Sequence, residues 1–311
     1  ARDRDLLRFR ADSRINAIIR ERAAHWTARG VMVCDIEEAL AAASTTGIAG
    51  AESFYEHVHL TFGGAYTAAA QISHALAGCR AGGADGGTCS RDDCARQLAF
   101  TPWDEVRVLR DVEITYLAKP PFTAQHGHAG RVAAHAARVA ALTRTLTPAA
   151  LDAAEAGYRA ALAQDTHDWQ LWYNYAQFLL HARQDAAGAV AQLQRAAQCM
   201  PHAFAAHDSL GKLYLRLNRP GEAWAAFDAA RALLPYSATI ENNLGVARLQ
   251  QGDMRAAMAH FQRALRYESD NAASYNNLAV AAMQLGERSN AVMHLRTALQ
   301  HDPHNAQTHC N

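Results

Sequence analysis

From residue 204 onward the chain repeats itself. FAAHDSLGKLYLRLNRPGEAWAAFDAARALLP is followed by ATIENNLGVARLQQGDMRAAMAHFQRALRYES and then by AASYNNLAVAAMQLGERSNAVMHLRTALQHDP. Leu210, Leu244 and Leu278 stand 34 positions apart, as do Gly211, Gly245 and Ala279. The same spacing links Ala223, Ala257 and Ala291, then Phe227, Phe261 and Leu295, then Ala230, Ala264 and Ala298. Pro235 and Pro303 close two of the units. A period of this length constrains the fold more than composition does, because one such unit cannot bury its apolar face alone and must stack on the next. Small residues recur where two helices of a pair come close, and large apolar residues fill the space beside them. The pattern predicts a mainly α chain here, built as a row of helical hairpins.

These slots resemble the tetratricopeptide repeat. An earlier unit fits with one extra residue, through Trp172, Tyr175, Ala176, Ala189, Leu193, Ala196 and Pro201. Ahead of it, LDAAEAGYRAALAQDTHD resembles a lone second helix, with Ala154, Tyr158 and Ala161 in the matching slots. The array is expected over residues 149–311, and AQTHCN is expected to open one more unit, cut within its first helix. The resemblance implies a superhelix with a concave groove, lined by the first helix of each pair, that takes a protein or peptide partner. Asn174, Asn243, Asn277 and Asn311 fall in one equivalent slot, with Ser209 interrupting. An amide carries both donor and acceptor, so such a ladder can pair with an extended peptide backbone. The ladder is similar to that of the glycosyltransferase-type arrays of this family; the other reading is that Asn is simply common at this place in the repeat. The basic clamp that other members use for a C-terminal carboxylate is not matched, since Asp208, Asn242 and Asn276 stand where a Lys would be expected.

The first part of the chain has a different texture. FRADSRINAIIRERAAHWTARG places Ile15, Ile18, Ile19 and Ala23 at helical spacing, with Asp12 or Ser13 as N-cap and Gly30 as a stop. VMVCDI reads as a short buried parallel strand ending in Asp35, and EEALAAA as a short helix. FYEHVHLT comes next, and then the helix GGAYTAAAQISHALAG with Tyr66, Ala69, Ile72 and Leu76 along one side. Helix, strand, loop and helix read as the end of an α/β layered unit.

An acidic residue three before a His, then Leu-Thr and a Gly ahead of a helix, resembles the last block of the SGNH (GDSL-type) hydrolases. The resemblance implies that residues 1–78 are the C-terminal part of a flavodoxin-like α/β hydrolase domain. By position it makes His59 the general base and Glu56 its orienting carboxylate, with Gly63 or Gly64 and Tyr66 opening the closing helix. The family's nucleophile block is missing: Ser13 follows Asp12 without the Gly or the strand, only 46 residues before His59, and reads as a cap. Two other readings of the segment stay open. His57 and His59 on a strand would project both rings to one face, as metal ligands do, or they form a structural pair. No third ligand at telling spacing supports a metal.

Residues 79–148 read as a Gly-rich boundary, CRAGGADGGTCSRDD, followed by helices broken at Pro102 and at Pro120-Pro121, and then by a helix leading into the repeats. Trp103, Tyr116 and Phe122 are expected to pack there, not to bind ligand. Among the cysteines, Cys79, Cys89 and Cys94 match no zinc spacing, and a disulfide within that trio cannot be chosen from sequence. The 30 basic and 30 acidic residues balance, so no basic stripe invites nucleic acid. No apolar run is long enough to span a membrane, and no cofactor motif is present. The chain opens on ARDRDLLRFR, without Met or a signal core, and stops at AQTHCN in mid-pattern, so it is expected to be a piece cut at both ends, with the compartment left open. The combination of such a hydrolase with tetratricopeptide repeats resembles bacterial proteins. The sequence therefore carries two expectations: an ester hydrolase or acyl-transfer protein that recruits partners through its repeats, and a non-enzymatic scaffold in which only the repeats act.

Overall fold

A computed structural model describes residues 13–29, 31–47, 49–50, 53–55, 60–79, 89–119, 123 and 127–303. Among them are fifteen α-helices and no strand; a single antiparallel bridge joins Phe54 and Leu60. The chain divides into two compact units, Ala1–Gly157 and Tyr158–Asn311.

The first unit holds α1 (Ser13–Ala24), α2 (Ile36–Ala42), α3 (Phe62–Cys79), α4 (Arg91–Gln97), α5 (Pro102–Val112) and α6 (His128–Thr145). The α/β layer expected here is not found among the described residues. Val31, Met32 and Val33 are exposed, and Asp35 turns the chain by accepting from Glu38 N at 3.0 Å as the N-cap of α2. A parallel strand needs a neighbour to take its N–H and C=O groups, and the described residues supply none. The apolar stripe of α1 also differs from expectation, because Ile15, Ile18 and Ile19 are about half exposed. What holds α1 is polar: Arg20 bonds to Asp35 and Glu37, and Asn16 Nδ2 donates to Glu37 at 2.6 Å.

A firmer nucleus forms further along. Pro102 does not merely break a helix but starts α5, where Thr101 and Asp104 close a capping box. Trp103, Val106, Leu109 and Val112 on α5, with Leu117 on the π turn after it, are buried. His135 of α6 bonds the Leu109 carbonyl at 2.8 Å, and Arg138 donates to Glu105 at 2.6 Å. Phe62 stacks on Phe100 with ring centroids 4.5 Å apart.

α7 (Pro148–Gln164) begins at a proline, and its residues from Tyr158 onward belong to the second unit. Four hairpins follow there: α8 (Trp169–His181) with α9 (Ala186–Cys199), α10 (Phe204–Arg216) with α11 (Pro220–Leu233), α12 (Ala238–Gln250) with α13 (Met254–Tyr267), and α14 (Ala272–Gln284) with α15 (Arg288–His301). The repeat slots form the core. Leu210, Leu244 and Leu278 are buried, and Ala223, Ala257, Ala291, Ala230, Ala264 and Ala298 have no exposed surface. Tyr158, also fully buried, stacks on Tyr175 with centroids 5.3 Å apart.

Inside each of the last three hairpins one contact sets the helix separation. A Cβ on Gly211 would stand 2.5 Å from Phe227 Cε1, and one on Gly245 would stand 2.7 Å from Phe261 Cδ1. In the last hairpin the ring is replaced by Leu295, which packs beside Ala279, and a Cβ fits. The turn inside each hairpin repeats too. Gln184, Asn218, Gly252 and Gly286 all have φ between 54° and 82°. This left-handed residue stands directly before the N-cap of the second helix in every hairpin.

Candidate functional site

The first helices of successive hairpins pack on one another, α10 with α12 and α12 with α14, while no comparable packing joins successive second helices among the described residues. A stack that touches along one side and splays along the other bends toward the touching side. The inner wall of the second unit is therefore made of first helices, and the Asn slot lies on them.

Along that wall the slot forms rungs between repeats. Asn277 Nδ2 donates to Asn242 Oδ1 at 2.9 Å, and Ser274 Oγ donates to the same oxygen at 3.2 Å. At the other end, the Ser209 hydroxyl meets Tyr173 Oη at 3.4 Å. Each rung joins an Asn-slot residue to the neighbour of that slot on the preceding hairpin. The middle rung is open. Asn243 Nδ2 and Asp208 Oδ1 occupy its two ends, and each is buried without a hydrogen-bond partner. The other oxygen of Asp208 pairs with Lys212 Nζ at 2.7 Å. Asn174 accepts from Gln170 Nε2 at 3.2 Å within its own helix. Asn311 lies outside the described residues.

Glu56, His57 and His59 also lie outside the described residues. What flanks them is closely held: Thr61 N donates to Ser53 O at 2.9 Å, and Gly64 N to Thr61 Oγ1 at 3.0 Å. A Cβ on Gly64 would collide with the Ser53 carbonyl, which explains a glycine there without any reference to catalysis.

Residues 245–286 match the sequence profile of the TPR repeat, and residues 272–305 that of the tetratricopeptide repeat. The chain carries tetratricopeptide repeats. Solved structures of similar architecture include three others. MamA 41-end from Desulfovibrio magneticus RS-1 is 16% identical, with a TM-score of 0.46, over 53% of this chain and 92% of that one. YrrB, described as a TPR protein with an unusual peptide-binding site, is 15% identical, with a TM-score of 0.47, over 66% and 97%. A thermophilic TPR protein of Thermus thermophilus is 20% identical, with a TM-score of 0.42, over 56% and 93%. No curated protein matches the sequence. No described helix is long and apolar enough to cross a membrane.

The tetratricopeptide register also exposes a group that reading the sequence slot by slot overlooks. Glu241 of α12 sits where the other hairpins carry His207 and Tyr275, and it is only 2% exposed. Its carboxylate receives His260 Nδ1 at 2.8 Å and Arg263 Nε at 3.3 Å, with Arg231 Nη1 at 3.9 Å. A buried carboxylate persists only with such company. The signal was a lone acid in a column of ring-bearing residues.

Proposed function

We propose that this chain is a protein-interaction scaffold whose tetratricopeptide array takes an extended peptide segment of a partner along its first helices. Asn174, Asn243 and Asn277 are the residues assigned to that contact; Asn174 and Asn277, which pair with Gln170 and Asn242, would have to exchange those partners for the peptide. The observation that carries the reading is the middle rung, where a donor, Asn243 Nδ2 on α12, and an acceptor, Asp208 Oδ1 on α10, are left without partners on adjacent first helices. A peptide unit offers the complementary carbonyl and N–H. Satisfying a buried polar group is worth about 1–3 kcal/mol, which is a large share of a modest affinity. Glu241 takes no part in this, since its neighbours already occupy it.

Peptide display on the full chain tests the proposal. Selected peptides should share a motif, and Asn243→Ala together with Asn277→Ala should weaken them roughly tenfold or more while the array stays folded. Equal affinity for the double variant would remove the wall from the reading.

The other expectation, an ester hydrolase or acyl-transfer protein with His59 as base and Glu56 as its orienting carboxylate, gains no support from the comparisons, and the scaffold reading stands ahead of it. Turnover of short-chain nitrophenyl esters that disappears in His59→Ala would reverse that order.

A further inference from the structure

Cys89 and Cys94 stand on either side of the turn that opens α4. Ser90 forms that turn, its Oγ accepting from Asp93 N at 3.1 Å and donating to Asp93 Oδ2 at 2.6 Å. The residue before such a cap and the fourth residue of the helix fold back on each other, an arrangement ordinarily filled by two apolar side chains. Here both are cysteines. A hydrogen bond with the neighbouring Cys94 thiol is the first cause that raises the Cys89 thiol above its ordinary value. Both are half-buried and neither is bridged. The backbone on each side is also held, since Cys94 N donates to Ser90 O at 2.9 Å and Tyr66 Oη of α3 donates to the Cys89 carbonyl at 2.9 Å. Two thiols kept in contact by surrounding structure need little further ordering to join.

We propose that Cys89 and Cys94 form a reversible dithiol–disulfide pair, a modification site that takes a low-molecular-weight disulfide as its oxidant. One cysteine thiolate attacks a sulfur of the small disulfide and expels a thiolate. The second cysteine then attacks the mixed disulfide, which forms the Cys89–Cys94 bond and expels the second small thiolate. Two protein thiols are oxidised, one small disulfide is reduced to two thiols, and the two protons leave with them. Partial exposure gives the oxidant access. Closing the bond fixes the cap of α4, which Tyr66 ties to α3.

Trypsin separates the two cysteines, because it cuts after Arg80, Arg91 and Arg96. The test incubates the full chain with glutathione disulfide, caps remaining thiols with N-ethylmaleimide and maps the digest. The expected product is residues 81–91 joined to residues 92–96, split again by dithiothreitol. Cys94→Ser should leave Cys89 as a mixed disulfide with glutathione, and Cys199→Ser should leave the bridge unchanged. Cys89 joined to Cys79 instead would overturn the assignment. So would Cys89 and Cys94 both capped by maleimide after a treatment that oxidises a reference dithiol peptide.

Discussion

Asn277 donates its amide to Asn242 one hairpin earlier, 2.9 Å away, and the fully buried Ser274 hydroxyl shares that acceptor. A single carbonyl oxygen therefore ties α14 to α12. Asn242→Ala leaves both donors without an acceptor, and an unsatisfied buried donor costs about 1–3 kcal/mol. We expect Asn242→Ala to lower stability by about 2 kcal/mol in urea unfolding. Asn243→Ala removes a nitrogen that has no partner and should cost clearly less. Equal losses would mean that the rung does not hold the hairpins together.

The hairpin turn offers a stabilising change. Gln184 and Asn218 sit at φ 57° and 54°, where Gly252 and Gly286 stand in the other hairpins. A side chain in this region costs about 1 kcal/mol more than glycine, and Gln is the less suited of the two. Gln184→Gly should raise the thermal midpoint, and Asn218→Gly should raise it less. A fall in either would show that the side chain contributes more than the backbone strain.

Much of the array was legible because its register is written in residue size. Leu210, Gly211, Ala223, Phe227 and Ala230 each recur one period later, and each is buried in its place. The turn slot was harder, since two of its four members are not glycine although all four share the conformation. Rungs were hidden for a different reason. They join a slot to its neighbour on the preceding hairpin, as Asn277 to Asn242, so comparing equivalent positions never pairs them. At the other end of the chain, VMVCDI has the composition of a strand, but a strand is made by its neighbours. Composition alone could not say that none of the described residues pairs with it. Glu56 and His59, the proposed acid–base pair, lie outside those residues.

Glu241 gives a sharper test of burial. Removing one partner of a buried ionic network costs about 3–5 kcal/mol, because the remaining charges lose their compensation. Glu241→Ala should approach that loss by stranding His260 and leaving a hole. Glu241→Tyr, the residue of the next hairpin at Tyr275, should cost less, because the ring fills the space and Arg231 and Arg263 are exposed enough to reach water. Chemical denaturation of both variants checks the order. Glu241→Tyr as damaging as Glu241→Ala would mean that the charge itself specifies this hairpin.

Acid should loosen the last hairpin. Burial pushes the His294 imidazole down from its ordinary 6.5, so the folded chain disfavours the charged ring. Just below that ordinary value the unfolded chain binds more protons than the folded one, and stability falls as pH falls. Above it His294 is neutral in both states and the effect vanishes. Wild type should therefore lose more thermal stability than His294→Gln between pH 7.5 and pH 5, and the two should run parallel above pH 7. Identical pH profiles would remove His294 from the account.

The pairing of Gly245 with Phe261 predicts a coupled pair of substitutions. Adding a Cβ at Gly245 forces it against the Phe261 ring, and overpacking of this kind costs about 1–3 kcal/mol. Phe261 is fully buried, so Phe261→Leu alone leaves unfilled volume and also destabilises. Together the two changes recreate the Ala279 and Leu295 combination that the last hairpin already uses. The double variant should therefore be more stable than the sum of the single losses, by about 0.5–3 kcal/mol, the range found for residues in direct contact. Gly157→Ala serves as the contrast. No atom lies within 4 Å of the added Cβ in α7, and replacing glycine inside a helix should stabilise by roughly 0.5–1 kcal/mol. The same change of one methyl group thus carries opposite signs at two helical glycines. Strict additivity at Gly245 and Phe261 would show that the ring moves aside, and that helix separation is set elsewhere in the hairpin.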